Sequence, residues 1–317
     1  MELSFALPTS GSWATPENVS LLARAAEDRG CRGLWTFQRV IYPSGSDLPA
    51  VYRSVLDPLV TLGFAASVTS RARLGLAVVN GPFYAPAVLA KQLATIDVLS
   101  AGRLDAGIGL GWHADEYIAA GVPMGGRGRR FDEWLDCLNT LLAADGEVAF
   151  AGEFYTVPPS RIAPRSVQRP RPPVLIGGSS EPAYRRGGVR GDGWISSSRA
   201  SLNDIRFAIA TMRDAAERSG KSASSLRSVV RGVTVLRDRP LDGVNRGLLH
   251  GSLDQIRDDI GRFAETGVDE LFFDLNFDSE QVGNPDADPA AAMDKAYAVL
   301  EHCLPASPEM ITDAARP

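Results

Sequence analysis

The feature that most constrains the fold is an alternation of strand and helix patterns that recurs eight times. Short apolar segments lie at residues 3–7, 33–37, 74–79, 104–108, 174–176, 194–197, 229–236 and 270–275. Helical patterns follow them at 17–29, 57–69, 86–99, 129–142, 181–189, 202–219, 253–266 and 290–304. Parallel neighbours need crossover connections, and a helix is the usual crossover. Eight such units predict an α/β fold, a single (β/α)8 TIM barrel over residues 1–317, a length that suits one barrel domain. Residues 147–173 break the rhythm with six prolines and a hairpin-like piece at 148–157, so they read as an insertion. The tail at 305–317 reads as loosely held.

A net charge of −5 argues against nucleic-acid binding, which wants a basic face. No apolar run approaches the roughly 18 residues of a membrane span, and no signal-peptide pattern opens the chain, so a cytoplasmic protein is expected. Cys31, Cys137 and Cys303 are scattered and lack metal-site spacing, which suits buried thiols in a reducing compartment.

Within this frame the segment SAGRLDAGIGLGWHADEY, Ser100 to Tyr117, stands out. A strand runs into Gly107, Gly109 and Gly111, where missing side chains let backbone approach a ligand. Trp112, His113, Asp115 and Glu116 follow directly. A dinucleotide fingerprint is excluded, because the third glycine comes too early and no strand ending in an acid follows at the right distance. Gly177-Gly178-Ser179-Ser180 ends the fifth strand and opens a helix. It offers either a phosphate site or an ordinary tight turn with a serine cap.

Barrel ligands bind at the C-terminal ends of the strands. That rule gathers Phe5, Phe37 to Arg39, Asn80 to Tyr84, Gly109 to Glu116, Gly177 to Ser180, Ser196 to Ser198 and Asn276. The set is aromatic and neutral-polar, without a metal-binding cluster or a strand-end lysine. Chemistry at such a mouth is expected to come from a bound cofactor acting on a small-molecule substrate. His113 is the one histidine at a predicted strand mouth and the candidate proton donor.

Three runs carry a family resemblance. The first holds Pro86, Lys91, Ala94, Thr95, Asp97, Leu99, Ser100, Gly102 and Arg103; the second is Gly107 to Tyr117. The third comprises Ser166 to Pro170, PPVLIGGSS and Gly191 to Trp194. In this order they resemble the bacterial luciferase-like flavin and deazaflavin oxidoreductases, over roughly residues 3–275, and most closely the branch that uses coenzyme F420. The resemblance implies hydride transfer between F420 and a small organic substrate. The alternatives are an FMN-dependent monooxygenase using O2 and a non-catalytic flavin-binding barrel. It also implies a homodimer and a bulged third strand, often with a non-prolyl cis peptide, at Ala77, Val78 and Asn80. Asn80 would meet the ring edge. Gly109, Leu110, Gly111 and Trp112 would follow the cofactor's side chain, and Gly177, Gly178 and Ser179 would receive its phosphate. The family usually has an acid at the end of the second strand; here Gln38 and Arg39 stand there, and an amide cannot act as a general base.

Other residues have plainer readings. Glu116, Arg130 and Glu133 are expected to form a structural ion pair between loop and helix. His250 is a lesser candidate for the mouth, and His302 lies on the last helix. Trp13, Trp35, Tyr42, Phe83 and Tyr84 read as core or pocket wall. Arg161, Arg165, Arg169 and Arg171 in the insertion either form a basic rim for the acidic F420 tail or keep a proline-rich loop in water.

Overall fold

The computed structural model describes residues 1–243 and 246–304, so the tail expectation at 305–317 lies outside the described residues. Strand β1 (Glu2–Ala6) leads to α1 (Pro16–Asp28), β2 (Gly33–Thr36) to α2 (Pro58–Val68), and β3 (Arg73–Leu76) with β4 (Val79–Asn80) to α3 (Pro86–Leu99). Then come β5 (Leu104–Gly109), a short α4 (Ala114–Ala119), α5 (Arg127–Ala143) and a hairpin of β6 (Glu147–Ala151) and β7 (Thr156–Arg161). The regular pattern resumes with β8 (Val174–Gly177), α6 (Glu181–Val189), β9 (Gly193–Ile195), α7 (Leu202–Arg218) and β10 (Arg227–Val233). Small strands β11 (Val235–Leu236) and β12 (His250–Gly251) precede α8 (Leu253–Ala264), β13 (Glu270–Asp274) and α9 (Pro289–Cys303).

The sheet order is β3-β2-β1-β13-β10-β9-β8-β5-β4, and a β3–β5 pairing closes it into a parallel barrel of eight staves. Register follows from the buried sides: Phe5 opposes Leu34, Leu74 opposes Leu104, and Val229 opposes Glu270. Helix starts follow their sequence signals. Proline occupies the first turn of α1, α2, α3, α6 and α9, where its missing N–H costs nothing. Ser252 caps α8 as predicted, in a box closed by Gln255.

The third stave is interrupted at a cis Ala77–Val78 peptide, which divides β3 from β4, as the family resemblance implies. The structure departs from the sequence reading at two places. The predicted seventh strand at 229–236 divides after Val233, where β11 leaves the barrel to pair with β12. A further helix, α4, forms before α5.

The bore is filled from below. Ala6, Trp35, Leu175, Ile195, Val229 and Phe272 meet inside it, with Trp35 stacked on Phe272 at 5.4 Å. Under them, at the N-terminal strand ends, Arg227 donates to Asp105 at 2.9 Å and to Glu270 at 2.8 Å. Glu270 also accepts from Ser4 and Trp35, while Arg73 donates to Asp105 at 2.7 Å. Asp105 and Glu270 sit on β5 and β13, diametrically opposite staves, so this network spans the base. Buried charges survive there because each finds an opposite charge and several hydrogen bonds.

Candidate active site

At the opposite, C-terminal end of the strands the barrel opens into a cavity of about 440 Å³. Gln38, Arg39, Ala77, Val78, Asn80, Gly109, Leu110, Gly111, Trp112, Gly177, Gly178 and Ser179 all line it. His113 does not. It precedes α4, with its ring edge-on to Trp112 at 5.2 Å and its Nδ1 buried without a partner. His250 lies off the cavity in β12, where burial lowers its pKa, and His302 pairs with Asp254 at the surface.

Val78 organises the floor. A Cβ added at Gly177 would come within 2.6 Å of Val78 Cγ1, and one at Gly109 within 2.5 Å of its Cγ2. At Gly107 the obstacle is the carbonyl oxygen of Leu76, 1.8 Å away. These glycines therefore make room for the interrupted third stave as well as for a ligand. Asn80 lines the cavity, and its side-chain amide has no hydrogen-bond partner among the described residues. Gln38 is fixed on both sides: its Oε1 accepts from Asn80 N at 2.9 Å, and its Nε2 donates to Tyr84 at 2.7 Å. Burial first, then Asp57, raises the Tyr84 pKa, so the phenol stays protonated in neutral water.

One side of the cavity suits an anion. Gly178 has φ of +146° and its carbonyl is held by Trp194 Nε1 at 2.8 Å. Ser180, the N-cap of α6, makes no side-chain cap. Pro182 has no N–H, and Ala183 and Tyr184 donate to the Ser180 carbonyl at 2.9 and 3.1 Å. Of the first turn, the Glu181 N–H is therefore the one without a protein acceptor among the described residues. Arg186 lines this corner while paired with Asp132. Arg127 also lines it, has no carboxylate partner among the described residues, and keeps a buried Nη1 without an acceptor. The sequence reading missed Arg127. Its signal was local conflict: arginine crowds the start of α5 with no acid in the first turn, against the helix dipole.

The other side is aromatic and holds two buried arginines. Arg39 lies 4.3 Å from the Tyr52 ring centroid and 5.0 Å from that of Trp112. Its side chain is 4% exposed and pairs with Glu116, 2% exposed, at 2.9 Å. The contact is an ion pair without hydrogen-bond alignment, so Nε and Nη1 lack acceptors. Glu116 Oε1 also accepts from Val40 N at 2.7 Å, tying α4 to the end of the second stave. Glu116 thus pairs with Arg39, which corrects the expected group with Arg130 and Glu133. Glu133 instead accepts backbone N–H groups of Glu153, Phe154 and Tyr155, and Arg130 donates to carbonyls of Pro123 and Gly125. Arg231 reaches up from β10, binds Asp274 and the carbonyl of Ala77, and lies 4.7 Å from the Phe277 ring. It too was missed, although an arginine inside an apolar strand pattern was visible.

The insertion's arginines do not form a rim. The β6–β7 hairpin starts from the lower end of α5, and Arg165 pairs with Asp145 there. Arg171 pairs with Asp192, just before β9, and Arg169 donates to Ser166. Arg161 opposes Glu147 at the open end of the hairpin. All four sit toward the base, and none lines the cavity.

The profile of luciferase-like monooxygenases matches residues 3–242 of this chain. The chain belongs to that family. An uncharacterized protein of Mycobacterium tuberculosis is 32% identical over 96% of this chain and all of its own length. Among solved structures, a monooxygenase from Streptomyces bottropensis superposes with TM-score 0.76 at 21% identity, covering 96% of this chain and 99% of that one. An F420-dependent secondary alcohol dehydrogenase superposes with TM-score 0.74 at 16% identity, over 94% and 99%. In this luciferase-like barrel much of the family motif is scaffold. Asp97 accepts from Val167 N and Gln168, and Arg103 donates to carbonyls of Ala66, Thr69, Ala72 and Ser100. No group of three or more His, Cys, Asp or Glu suited to a metal occurs among the described residues. No helix described is long and apolar enough to cross a membrane.

Proposed function

We propose that this luciferase-like oxidoreductase uses coenzyme F420 and exchanges a hydride with a small organic substrate. The residues fit a ring-and-phosphate cofactor: the orphaned Arg127 Nη1 and the glycine turn before α6 are suited to a phosphate. Arg127, Ser179 and the N–H groups of that turn would hold the phosphate, and Asn80 the polar ring edge. Val78 would support the ring from beneath. When bound, the deazaflavin supplies the hydride-transfer chemistry. The chain's own part is to orient the ring and keep water from it; the one carboxylate lining the first cavity among the described residues, Glu116, is paired with Arg39.

The carrying observation is that the cavity continues past the phosphate corner. A second cavity of about 420 Å³ shares Tyr52, Trp112, Ser179, Ser197 and Ser198 with the first, so it borders both the phosphate corner and the Tyr52–Trp112 edge, and it runs over Arg199 to Asp204. FMN ends at its phosphate, whereas F420 continues beyond it, so an onward groove favours the longer cofactor. The arginines at the base favour the second reading, an FMN-dependent monooxygenase, because they leave the F420 tail without a basic rim. A calorimetric titration with each cofactor separates the two. Tighter binding of F420, weakening with salt, is expected; preferential FMN binding with O2 uptake on supplying reduced flavin and substrate would replace this reading.

A homodimer and a cytoplasmic setting complete the proposal. Val60, Phe64 and Val88 are exposed on the adjacent helices α2 and α3, an apolar surface that a second copy would cover. Cys31, Cys137 and Cys303 are buried free thiols, which suits a reducing compartment.

A further inference from the structure

The two chemically different sides of the cavity face each other across the mouth. The phosphate corner follows β8. Phe37 and Tyr52 follow β2, and Phe277 follows β13; each of these staves lies three places from β8 around the barrel, in opposite directions. We infer that this β13–β2 side is the substrate subsite, and that it takes a neutral, planar, aromatic or conjugated compound bearing a carbonyl oxygen. The inference deepens the oxidoreductase reading above and rests on it for the word substrate.

Three observations define the ligand. The wall is aromatic: Phe37 and Phe277 lie 5.3 Å apart, Tyr52 and Phe277 6.0 Å, and Tyr52 and Trp112 6.5 Å. Flat π-systems pack against such faces and edges better than branched alkyl groups do. Arg39 supplies the polar contact, because its buried Nε and Nη1 have no acceptor and a ligand oxygen would provide one. Charge balance sets the ligand's own charge. Glu116 already compensates Arg39, and Asp274 compensates Arg231. A carboxylate would therefore add an unbalanced charge to a buried site, whereas a carbonyl accepts the N–H at no such cost.

The test uses the full chain, with and without bound oxidised cofactor, and three probes sharing a naphthalene ring. These are 2-acetylnaphthalene, 2-ethylnaphthalene, which lacks the acceptor, and 2-naphthoate, which carries a charge. Calorimetry should show the ketone binding about tenfold more tightly than either other probe, the value of one hydrogen bond to a charged donor. Arg39→Lys should erase that preference while leaving cofactor affinity unchanged. Tyr52→Leu should weaken all three probes together. Equal binding of 2-ethylnaphthalene, or tighter binding of 2-naphthoate, overturns the inference from the unmodified protein alone, whatever the variants do. An Arg39→Lys variant that loses cofactor and keeps probe discrimination also overturns it, by assigning the free donors to the cofactor. Discrimination among probes without binding of F420 or FMN would leave the subsite standing and remove the cofactor reading.

Discussion

Replacing Arg127 should move stability and cofactor affinity in opposite directions. In the free protein Arg127 is a local liability. It starts α5 where positive charge opposes the helix dipole, at about 0.3–1 kcal/mol. Its buried Nη1 lacks an acceptor, which costs about 1–3 kcal/mol. Arg127→Met keeps the aliphatic stem and the helix propensity and removes both penalties, against the loss of a cation–π contact with the Tyr117 ring at 5.9 Å, worth about 0.5–1 kcal/mol. The free variant should melt at the same temperature as the parent or higher, by about 2 °C per kcal/mol recovered. With cofactor present the sign reverses. Losing a charge-assisted contact to phosphate costs about 1.5–3 kcal/mol, so Kd should rise roughly tenfold to a hundredfold. Thermal melts with and without F420 or FMN, paired with calorimetric titration, read both quantities. A free variant that melts several degrees lower and binds cofactor as the parent does would show Arg127 to be a structural strut and refute the phosphate assignment.

Glu116→Gln leaves Arg39 charged and uncompensated in a buried site, so unfolding free energy should fall by about 3–5 kcal/mol; a denaturant midpoint equal to the parent's would remove the pair from the stability argument. Burial alone would raise the Glu27 pKa, but backbone N–H groups of Ala72, Arg71 and Ser70 hold it below the ordinary glutamate value. Its contribution is therefore present above that ordinary value and is lost as pH falls through the depressed one. Glu27→Gln should accordingly be less stable than the parent at pH 7 and converge with it in acid, and a gap independent of pH would contradict this. Asn80→Ala should weaken cofactor binding about tenfold without lowering the melting temperature, since no protein group depends on its amide. His113→Ala should change turnover by less than about twofold, because the ring lies outside the cavity lining; a loss of 10²-fold or more would restore His113 as a proton donor.

The barrel was legible because each strand and helix announces itself locally. Periodic apolar residues, first-turn prolines and the Ser252 cap all agree with the closed sheet. The cavity was legible one strand end at a time, and twelve of the thirteen residues singled out for it line the same space. Partners were harder, because they depend on neighbours distant in sequence. Glu116 reaches Arg39, 77 positions away, rather than the nearer Arg130. Gly109 and Gly177 line the cavity as their spacing suggests, but they also border Val78, and Gly107 borders the Leu76 carbonyl, a second role the sequence does not display. That crowding exists only once the third stave is interrupted. Gly178 shows the same limit: a Cβ there would lie 2.7 Å from Ala183 Cβ, so its substitution perturbs the fold as well as any phosphate. The insertion's arginines could not be placed without knowing which end of α5 the hairpin leaves from.

The network at the base has a kinetic consequence. Arg227, Asp105, Glu270 and the stacked Trp35 and Phe272 leave no passage through the bore, so every molecule comes and goes at the upper rim. Whatever settles nearest Val78 must arrive first and depart last, and a second molecule resting over it holds it in place. Under the proposed reading, exchange through a single doorway is ordered, with the cofactor entering before the substrate, leaving after the product, and exchanging once for each hydride transferred.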